Sequence, residues 1–298
     1  MLSYCKINLG LTVGPRRSDS LHRIYSVFLP IGIGDEVIIE RSSKFSFYSE
    51  NQISGSLAFR AFEDVSERGA NLEKNLMVRA YRSIEAYLPQ GQALSLQIKK
   101  RIPPGTGIGS GSSNAACVLR YARNQHWLTT EVAHELAKSL GADVPFFLGG
   151  WPALVRGIGD EIEPISVGPV HGLVCFPGLF VSTGEAYTRL KRPLQQSVDA
   201  KFGSLLSDSD WQAIASGDWS RLAHWGNDFE GPVFEMFPEL AKIKDAFVDS
   251  GAVYSSLSGS GSALYGLYSS NQMAIGALGS LQSRYPELQF ETFALWEQ

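Results

Sequence analysis

The stretch Pro103-Pro-Gly-Thr-Gly-Ile-Gly-Ser-Gly-Ser-Ser-Asn114 carries four glycines at alternate positions, from 105 to 111. The preceding segment, Leu94-Ser-Leu-Gln-Ile98, alternates apolar and polar residues as a half-buried strand does. The following segment, 115–122, is a good helix-forming run. Because glycine has no Cβ, such a loop lets backbone N–H groups approach a ligand, and the helix dipole adds a positive end. The stretch therefore predicts a phosphate-binding loop, with a flexible surface turn as the alternative.

Two widespread phosphate-binding patterns do not fit this loop. A P-loop requires Lys and then Ser or Thr after its last glycine, whereas Gly111 is followed by two serines. A dinucleotide-binding loop requires an acidic residue about 20 residues later, after a second strand. At that distance the chain reads Trp127-Leu-Thr-Thr-Glu131, which opens another helix.

The composition is that of an ordinary globular chain, with 298 residues of which 44% are hydrophobic and 19% charged. This length allows one large domain or two modest ones. The formal charge is −4 and Lys99-Lys-Arg101 is the main basic run, so no nucleic-acid partner is expected. No apolar run approaches the roughly 18 residues of a membrane span, so no membrane partner is expected either.

The three cysteines, Cys5, Cys117 and Cys175, are widely spaced and lie among apolar residues. No pair has the spacing of a metal site, so they are interpreted as small core side chains in a reducing compartment. No signal peptide is recognised at the N-terminus. The expected location is the cytoplasm.

The segment Tyr4–Val13 places apolar residues on one face and Lys6, Asn8, Gly10 and Thr12 on the other. This alternation predicts a strand. The polar face fits the edge of a sheet exposed to water. It also fits a functional site toward which the lysine and the asparagine both point.

Periodicity and cap residues predict the other elements. Before the loop these are strands at 23–29 and 37–40 with a turn at 32–36, strands and loops over 43–70, and a helix at 75–88. After the loop come a helix at 130–141, then Asp143, which also fits a simple turn residue, and an apolar strand. The second half contains strands at 171–176 and 288–295, helices beginning near 181, 238 and 272, and a polar excursion at 193–220. Two strands flank Ser258-Gly-Ser-Gly-Ser262, which a hairpin turn would also explain.

Three of these segments together resemble the GHMP kinases. The glycine loop is similar to their ATP-binding motif, Pro-x-Gly-Ala/Gly-Gly-Leu-Gly-Gly-Gly-Ser-Ser, from which Thr106 and Ser110 depart. Cys5-Lys-Ile-Asn-Leu9 resembles the first motif, Ala-Lys-x-Asn-Leu. Ser258–Ser262 resembles the third motif, Ser-Gly-Ser-Gly-x. The motifs occur in order, and the resemblance covers nearly the whole chain.

Other segments resemble one branch of these kinases, whose substrate is an alcohol carried on cytidine diphosphate. Residues 17–22 resemble its Arg-x-Asp-Gly-Tyr-His, with Ser20 and Leu21 in place of Gly and Tyr. Leu140-Gly-Ala-Asp-Val-Pro-Phe-Phe147 resembles its catalytic-aspartate segment. Thr183 and Tyr187 match its Val-x-Thr followed by an aromatic residue.

The resemblance implies an α+β, two-domain GHMP kinase fold with the ligands in the cleft between the domains. The expected domains are 1–155, ribosomal protein S5-like and carrying the phosphate loop, and 156–298, ferredoxin-like. ATP and Mg²⁺ are the expected cofactors. The expected substrate is a small molecule of the cytidine diphosphate alcohol kind, and the expected state is a monomer or homodimer.

The resemblance also assigns roles to individual residues. The expected catalytic residues are Lys6 and Asp143, and no side chain is assigned to a metal. The expected ATP contacts are Asn75, Lys100, Pro104, Gly105, Thr106, Gly107, Ile108, Gly109, Ser110, Gly111, Ser112, Ser113, Gly259, Ser260 and Gly261. The expected substrate contacts are Asn8, Leu21, His22, Asp143, Thr183 and Tyr187.

Two other functions remain open from the sequence. One is a GHMP kinase for another small alcohol, such as a sugar, mevalonate or homoserine, since Ser20 and Leu21 depart from the branch pattern. The other is a nucleotide-binding sensor without catalytic activity, against which the retention of Lys6, Asn8 and Asp143 argues.

Overall fold

The computed structural model describes residues 1–53, 72–194 and 205–297, and its strands form two sheets. The strands are β1 Leu2–Arg16, β2 His22–Ser42, β3 Ser46–Asn51, β4 Ala93–Lys100, β5 Ala153–Arg156, β6 Glu161–Pro164, β7 His171–Phe176, β8 Tyr254–Leu257, β9 Leu264–Leu267 and β10 Gln289–Ala294. The helices are α1 Leu76–Ile84, α2 Ser110–Asn124, α3 Thr130–Leu140, α4 Val144–Gly149, α5 Thr183–Arg189, α6 Asp208–Ser216, α7 Glu230–Met236, α8 Pro238–Asp249 and α9 Asn271–Arg284.

The first sheet has the strand order β3-β4-β2-β5-β6, and β1 pairs antiparallel with β2. Helix α2 packs against β1 and β2 and also against α1, α3 and α4. The apolar face of α2 that makes these contacts is fully buried. The glycine loop, which lies between β4 and α2, is thereby fixed at one end of a rigid helix.

The second sheet is antiparallel with the order β10-β7-β9-β8, and α8 and α9 pack on it. The strands of this sheet and the two helices packed on it follow one another along the chain as β7-α8-β8-β9-α9-β10. This β-α-β-β-α-β order is the ferredoxin-like arrangement implied by the resemblance. The chain then returns to the first sheet, where the Trp296 backbone N–H donates to the Pro30 carbonyl over 2.9 Å. The indole of Trp296 stacks on the Tyr4 ring at 5.2 Å, so the chain end ties the two halves together.

The pairing of β5 with β6 bears on where the two halves divide. Strands β5 and β6 pair through residues 153–156 and 161–164, so a division after residue 155 would cut this hairpin. The segment 165–170 connects β6 of the first sheet to β7 of the second. We therefore place the domain boundary there, as a proposal.

The turn predicted at residues 32–36 is wrong, because β2 continues through it. Its pairing with β1 shifts between Tyr4 and Cys5, which face Gly34 and Ile31 respectively, so β2 bulges here. A Cβ on Gly34 would lie 1.9 Å from the Ser3 carbonyl oxygen. This glycine therefore permits close strand packing rather than a reversal of the chain.

Three other element predictions also differ from the structure. The apolar run after Asp143 is helix α4, and a proline at its start suits the first turn of a helix. Helix α6 lies in the predicted polar excursion, where Ser207 and Asp210 form a capping box. Helix α2 begins at Ser110, inside the glycine run rather than after it. The remaining parts of the predictions for 43–70 and 193–220 that fall on 54–70 and 195–204 lie outside the described residues.

Candidate active site

The three motif segments meet at the middle of the glycine loop. The Lys6 backbone N–H donates to the Ile108 carbonyl, and the Ala263 N–H donates to the Thr106 carbonyl, each over 3.0 Å. The Gly107 carbonyl oxygen accepts from Lys6 Nζ at 3.0 Å and from Ser258 Oγ at 3.2 Å. The loop is therefore clamped between β1 and the β8–β9 connection.

Close approach of the two loops explains why glycine stands at position 107. A Cβ there would lie 2.0 Å from the Ser258 carbonyl oxygen, and φ is +78°, in the left-handed region. Opposite it, a Cβ on Gly259 would lie 2.9 Å from the Gly107 oxygen. Any side chain at either position would force the loops apart.

A buried carboxylate holds both ends of the loop. Asp35 is fully buried and accepts from the backbone N–H groups of Arg101 and Ile102 and from Asn114 Nδ2. Its fourth partner is Lys100 Nζ at 2.5 Å. The sequence did not predict this role, since only the fold brings Asp35 beside the loop.

The loop lines the first of two adjoining cavities, with a volume of about 480 Å³. The first turn of α2, residues 110–112, faces it, and N–H groups in the first turn of a helix have no intrahelical partner. Predicted ATP contacts that line this cavity are Lys100, Pro104, Gly105, Thr106, Gly107, Gly109, Ser110, Gly111, Ser112, Gly259 and Ser260.

Four predicted ATP contacts do not line this cavity. Ile108 and Ser113 are fully buried in the core. Asn75 caps α1 by accepting from the Met77 N–H at 2.9 Å, and its neighbour Leu76 reaches the cavity instead. Gly261 packs closely enough that an added Cβ would lie 2.9 Å from the Leu257 side chain.

Lys6 is the buried cation of the site, with 3% of its surface exposed. Its ammonium group donates to Asn8 Oδ1 at 2.5 Å and lies over the Phe28 ring at 4.7 Å. Burial lowers the pKa of Lys6, and the nearby Asp143 carboxylate opposes that shift. The polar face of β1 is thus covered by the glycine loop at Lys6 and by Trp225 at Gly10 and Thr12, and is not a wet sheet edge.

Asp143 stands just before α4, and its side chain is about one-third exposed. One carboxylate oxygen lies 3.9 Å from Lys6 Nζ. Asp143 also lines both cavities, together with Ile24, Ser112, Thr183 and Tyr187. A carboxylate and an ammonium group therefore stand side by side where the two cavities join.

The second cavity has a volume of about 940 Å³ and contains the predicted substrate contacts Leu21, His22, Thr183 and Tyr187. The remaining predicted substrate contact, Asn8, lines only the first cavity. Thr183 Oγ1 lies 2.9 Å from Ser260 Oγ, which links α5 to the third motif. Sequence reasoning missed three cationic lining residues, Arg16, Lys191 and Arg192. Their signal was weak, because Arg16 lies just before the family-like segment 17–22, and residues 191–192 lie just before the polar excursion predicted at 193–220.

His22 and Tyr187 form one wall of the second cavity. Their rings stack at 5.1 Å, and Tyr187 also meets Phe229 edge-on at 4.8 Å. Burial raises the pKa of Tyr187 to about 12, with a smaller contribution from Asp143, so its hydroxyl stays protonated. His22 Nδ1 lies 3.0 Å from the Gly14 carbonyl oxygen, which can only accept. Nδ1 therefore carries the proton, and in the neutral ring Nε2 is left as an acceptor.

This arrangement matches a known class of phosphotransferase. Residues 75–150 match the GHMP kinases N terminal domain, and residues 212–287 match the GHMP kinases C terminal domain. The chain belongs to the GHMP kinase family, whose members are small-molecule kinases that use ATP as the phosphate donor. The family and the two-domain fold predicted from the sequence are confirmed.

Relatives similar over their full length share one name. A 4-diphosphocytidyl-2-C-methyl-D-erythritol kinase of Leptospira biflexa is 36% identical, with 98% of each chain covered. The kinase of the same name from Leptospira interrogans is 37% identical, covering 98% of this chain and 99% of its own. A crystal structure of 4-(cytidine 5'-diphospho)-2C-methyl-D-erythritol kinase has a TM-score of 0.78 and 31% identity, covering 100% and 99% of the two chains.

More distant structures share the fold alone. A crystal structure of L. major mevalonate kinase in complex with R-mevalonate has a TM-score of 0.69 at 17% identity, covering 100% of this chain and 95% of its own. Within residues 1–53, 72–194 and 205–297, no helix is both long and apolar enough to cross a membrane. In the same ranges, no three His, Cys, Asp or Glu side chains form a cluster suited to a metal ion.

Proposed function

We propose that the protein transfers the γ-phosphoryl group of ATP to a hydroxyl of 4-diphosphocytidyl-2-C-methyl-D-erythritol, in the non-mevalonate route to isoprenoid precursors. The observation that carries this proposal is the position of Lys6 and Asp143. They lie 3.9 Å apart at the junction of a glycine-lined cavity and a cavity walled by His22 and Tyr187. The shared name of the full-length relatives supports the substrate.

The first cavity suits the triphosphate of ATP. Its wall is the glycine loop and the first turn of α2, which offer N–H groups and the positive end of a helix dipole. The second cavity then holds the alcohol, with its hydroxyl directed to Asp143. This order places donor and acceptor on opposite sides of the Lys6–Asp143 pair.

The two charged residues divide the chemistry. Asp143 accepts the proton of the substrate hydroxyl. The oxygen of that hydroxyl bonds to the γ-phosphorus, while the bond between the γ-phosphorus and the ADP oxygen breaks. Lys6, held by Asn8 and the Gly107 carbonyl, stabilises the negative charge on the transferring group. Because Lys6 is almost fully buried, its charge acts with little screening by water.

The residues around Asp143 fit a magnesium ion that is bound together with ATP. Mg²⁺ takes one or two protein oxygens and completes its octahedron with phosphates and water. Ser112 supplies a hydroxyl oxygen at the junction of the cavities and would hold the ion, while Asp143 stays free to accept the proton. When bound, the ion neutralises charge on the β- and γ-phosphates.

The base of the substrate lies against the wall of the second cavity. With Nδ1 of His22 donating to Gly14, its Nε2 can accept from the exocyclic amine of cytosine. Leu21, 47% exposed, presents an apolar surface in the same cavity where the relatives' motif has a tyrosine. Hydrogen bonding to His22 therefore contributes more to base selection than stacking does.

A panel assay tests this function. Release of ADP is measured with 4-diphosphocytidyl-2-C-methyl-D-erythritol, mevalonate, homoserine and galactose as acceptors, each at several concentrations. We expect the cytidine compound to give a kcat/KM at least about 100-fold above the others, since a site built for polar groups rejects analogues that lack them. A higher kcat/KM for another alcohol would contradict the proposal. Turnover with none of them would favour the sensor.

A further inference from the structure

Cationic side chains gather on one wall of the second cavity. Arg16, Lys191 and Arg192 all line it, and Asp143 is the single carboxylate among its lining residues in the described part of the chain. That carboxylate stands at the junction with the ATP cavity, beside Lys6. The cavity is therefore electropositive away from the reacting centre.

Backbone pairing brings these cations together. Arg16 is the last residue of β1, and its N–H donates to the Pro193 carbonyl over 2.9 Å. A parallel bridge joins Arg16 to Leu194 as well. The segment 191–194 thus runs beside the end of β1. Like charges on adjacent segments repel one another, so this arrangement is costly unless an anion lies between them.

The charges on this wall are only partly balanced. Arg192 pairs with Asp228, which also accepts from the Val13 N–H at 2.7 Å. The buried Nε of Arg192 has no hydrogen-bond partner among the described residues. Arg16 Nη2 donates to the uncharged Ser20 hydroxyl at 2.9 Å. Within the described ranges, no carboxylate lies at ion-pair distance from Arg16 or Lys191.

Cations close by but outside the cavity are neutralised. Arg17 pairs with Asp19 at 2.9 Å, and Arg189 of α5 pairs with Glu185 at 2.8 Å. Neither arginine lines the second cavity. Among the described residues, Arg16 and Lys191 of the cavity wall thus lack the carboxylate partner that these two neighbouring arginines have.

We propose that Arg16 and Lys191 bind the diphosphate of the substrate and so make the protein selective for an alcohol carried on a nucleoside diphosphate. This proposal rests on the proposed function. The base lies at His22 and the reacting hydroxyl at Asp143, and the diphosphate is the covalent link between them, so it crosses the same cavity. A guanidinium and an ammonium group match its two negative charges. Arg192, anchored by Asp228, positions the neighbouring Lys191.

Steady-state kinetics of Arg16→Gln, Lys191→Gln and the double variant test this assignment, with Arg189→Gln as the matched control. Each single change should raise KM for the cytidine compound about threefold to tenfold, the scale of a charge-assisted contact that is partly exposed. The kcat at saturation and KM for ATP should stay within about twofold, because neither residue lines the ATP cavity. Arg189→Gln should leave all three constants unchanged.

Equilibrium binding separates this inference from the proposed function. With ADP saturating the nucleotide site, affinities of cytidine 5'-diphosphate and cytidine are compared by calorimetry. The wild type should prefer the diphosphate, and the double variant should lose that preference. An equal preference for the diphosphate in both proteins, or no preference in the wild type, overturns the assignment of Arg16 and Lys191 to the diphosphate. If the wild type prefers the diphosphate and the double variant does not, but the wild type fails to phosphorylate the cytidine compound, the diphosphate site is supported and the proposed acceptor is wrong.

Discussion

At the scale of single residues, the positions of Lys6 and Asp143 suit the proposed phosphoryl transfer better than they suit a stabilising ion pair. Lys6 is an almost fully buried ammonium group, and its carboxylate neighbour lies at 3.9 Å, beyond a direct hydrogen bond. A structural ion pair would be closer and would satisfy both groups. The separation leaves room for a hydroxyl or a phosphoryl oxygen to contact both side chains.

Replacing Asp143 by Asn tests its role as the base. The side chain keeps its shape but cannot accept a proton, so kcat should fall about 100-fold or more, while KM for both substrates changes little. Asp245→Asn, on the exposed face of α8, is the control and should be neutral. A loss of less than tenfold in the steady-state rate would leave Asp143 as a structural turn residue.

The same variant predicts a change in pH dependence. Burial lowers the pKa of Lys6, and the Asp143 carboxylate raises it. Lys6 binds phosphate only below its pKa, where it is charged. Removing the carboxylate lowers that pKa further, so ATP affinity in Asp143→Asn should begin to decline at a lower pH than in the wild type. Titration of ATP affinity against pH measures this, and an unchanged or higher onset would place Lys6 away from the phosphates.

Leu21 provides a test of the base pocket. Leu21→Tyr would add a ring in the second cavity, and stacking of a base on an aromatic ring contributes about 1–3 kcal/mol. KM for the cytidine compound should therefore fall. Tyr187→Ala should raise it, since this ring supports His22. Unchanged KM values in both variants would show that the base of the substrate binds elsewhere.

At the scale of elements, α2 couples the phosphate loop to the core. The helix starts within the glycine run, so residues 110–112 are part of its first turn. A substitution of Gly109 is a poor test of the loop, because it would strain the fold. An added Cβ would lie 2.8 Å from the Phe147 ring, and φ is +74°. Gly111 is better, since its added Cβ meets only Leu76, at 3.8 Å.

Gly111→Leu should therefore block the ATP cavity without harming the fold. The larger side chain extends along the cavity wall beside Leu76, while leucine suits a helix better than glycine. ATP affinity should fall at least about tenfold with the melting temperature unchanged or higher. The control is Gly279→Leu in α9, where nothing lies within 4 Å of an added Cβ, and it should leave ATP affinity intact. Normal affinity in folded Gly111→Leu would place ATP elsewhere.

Several elements were predictable from local pattern because the cause is local. The strand over Tyr4–Val13 and the helix predicted to begin at residue 75 follow from periodicity and side-chain hydrogen bonding within a few residues. Helix α4 was mistaken for a strand, since a short apolar run that is buried on all sides has the same pattern in either form. The role of Asp35 depended on a contact with residues 65 to 79 positions away, which no local pattern reveals.

At the scale of the whole molecule, the site exists only because the two halves close on each other. Asn227 donates to the carbonyls of Leu257 and Gly259 at 2.8 Å, and the Asp228 N–H donates to the Leu11 carbonyl. The third motif is thereby held against β1. The resemblance of three separated segments to one family indicated this convergence, whereas the cationic wall of the second cavity emerged only from the fold.

The central claim is that phosphoryl transfer occurs at the junction of the two cavities and ends on an alcohol hydroxyl of the cytidine compound. Phosphorus NMR of a reaction containing ATP, Mg²⁺ and 4-diphosphocytidyl-2-C-methyl-D-erythritol tests it most directly. The account predicts a new phosphomonoester signal that grows with ADP while the diphosphate signals of the substrate persist, and that grows about 100-fold or more slowly with Asp143→Asn. Release of inorganic phosphate without a new ester, or loss of the substrate diphosphate, would contradict it.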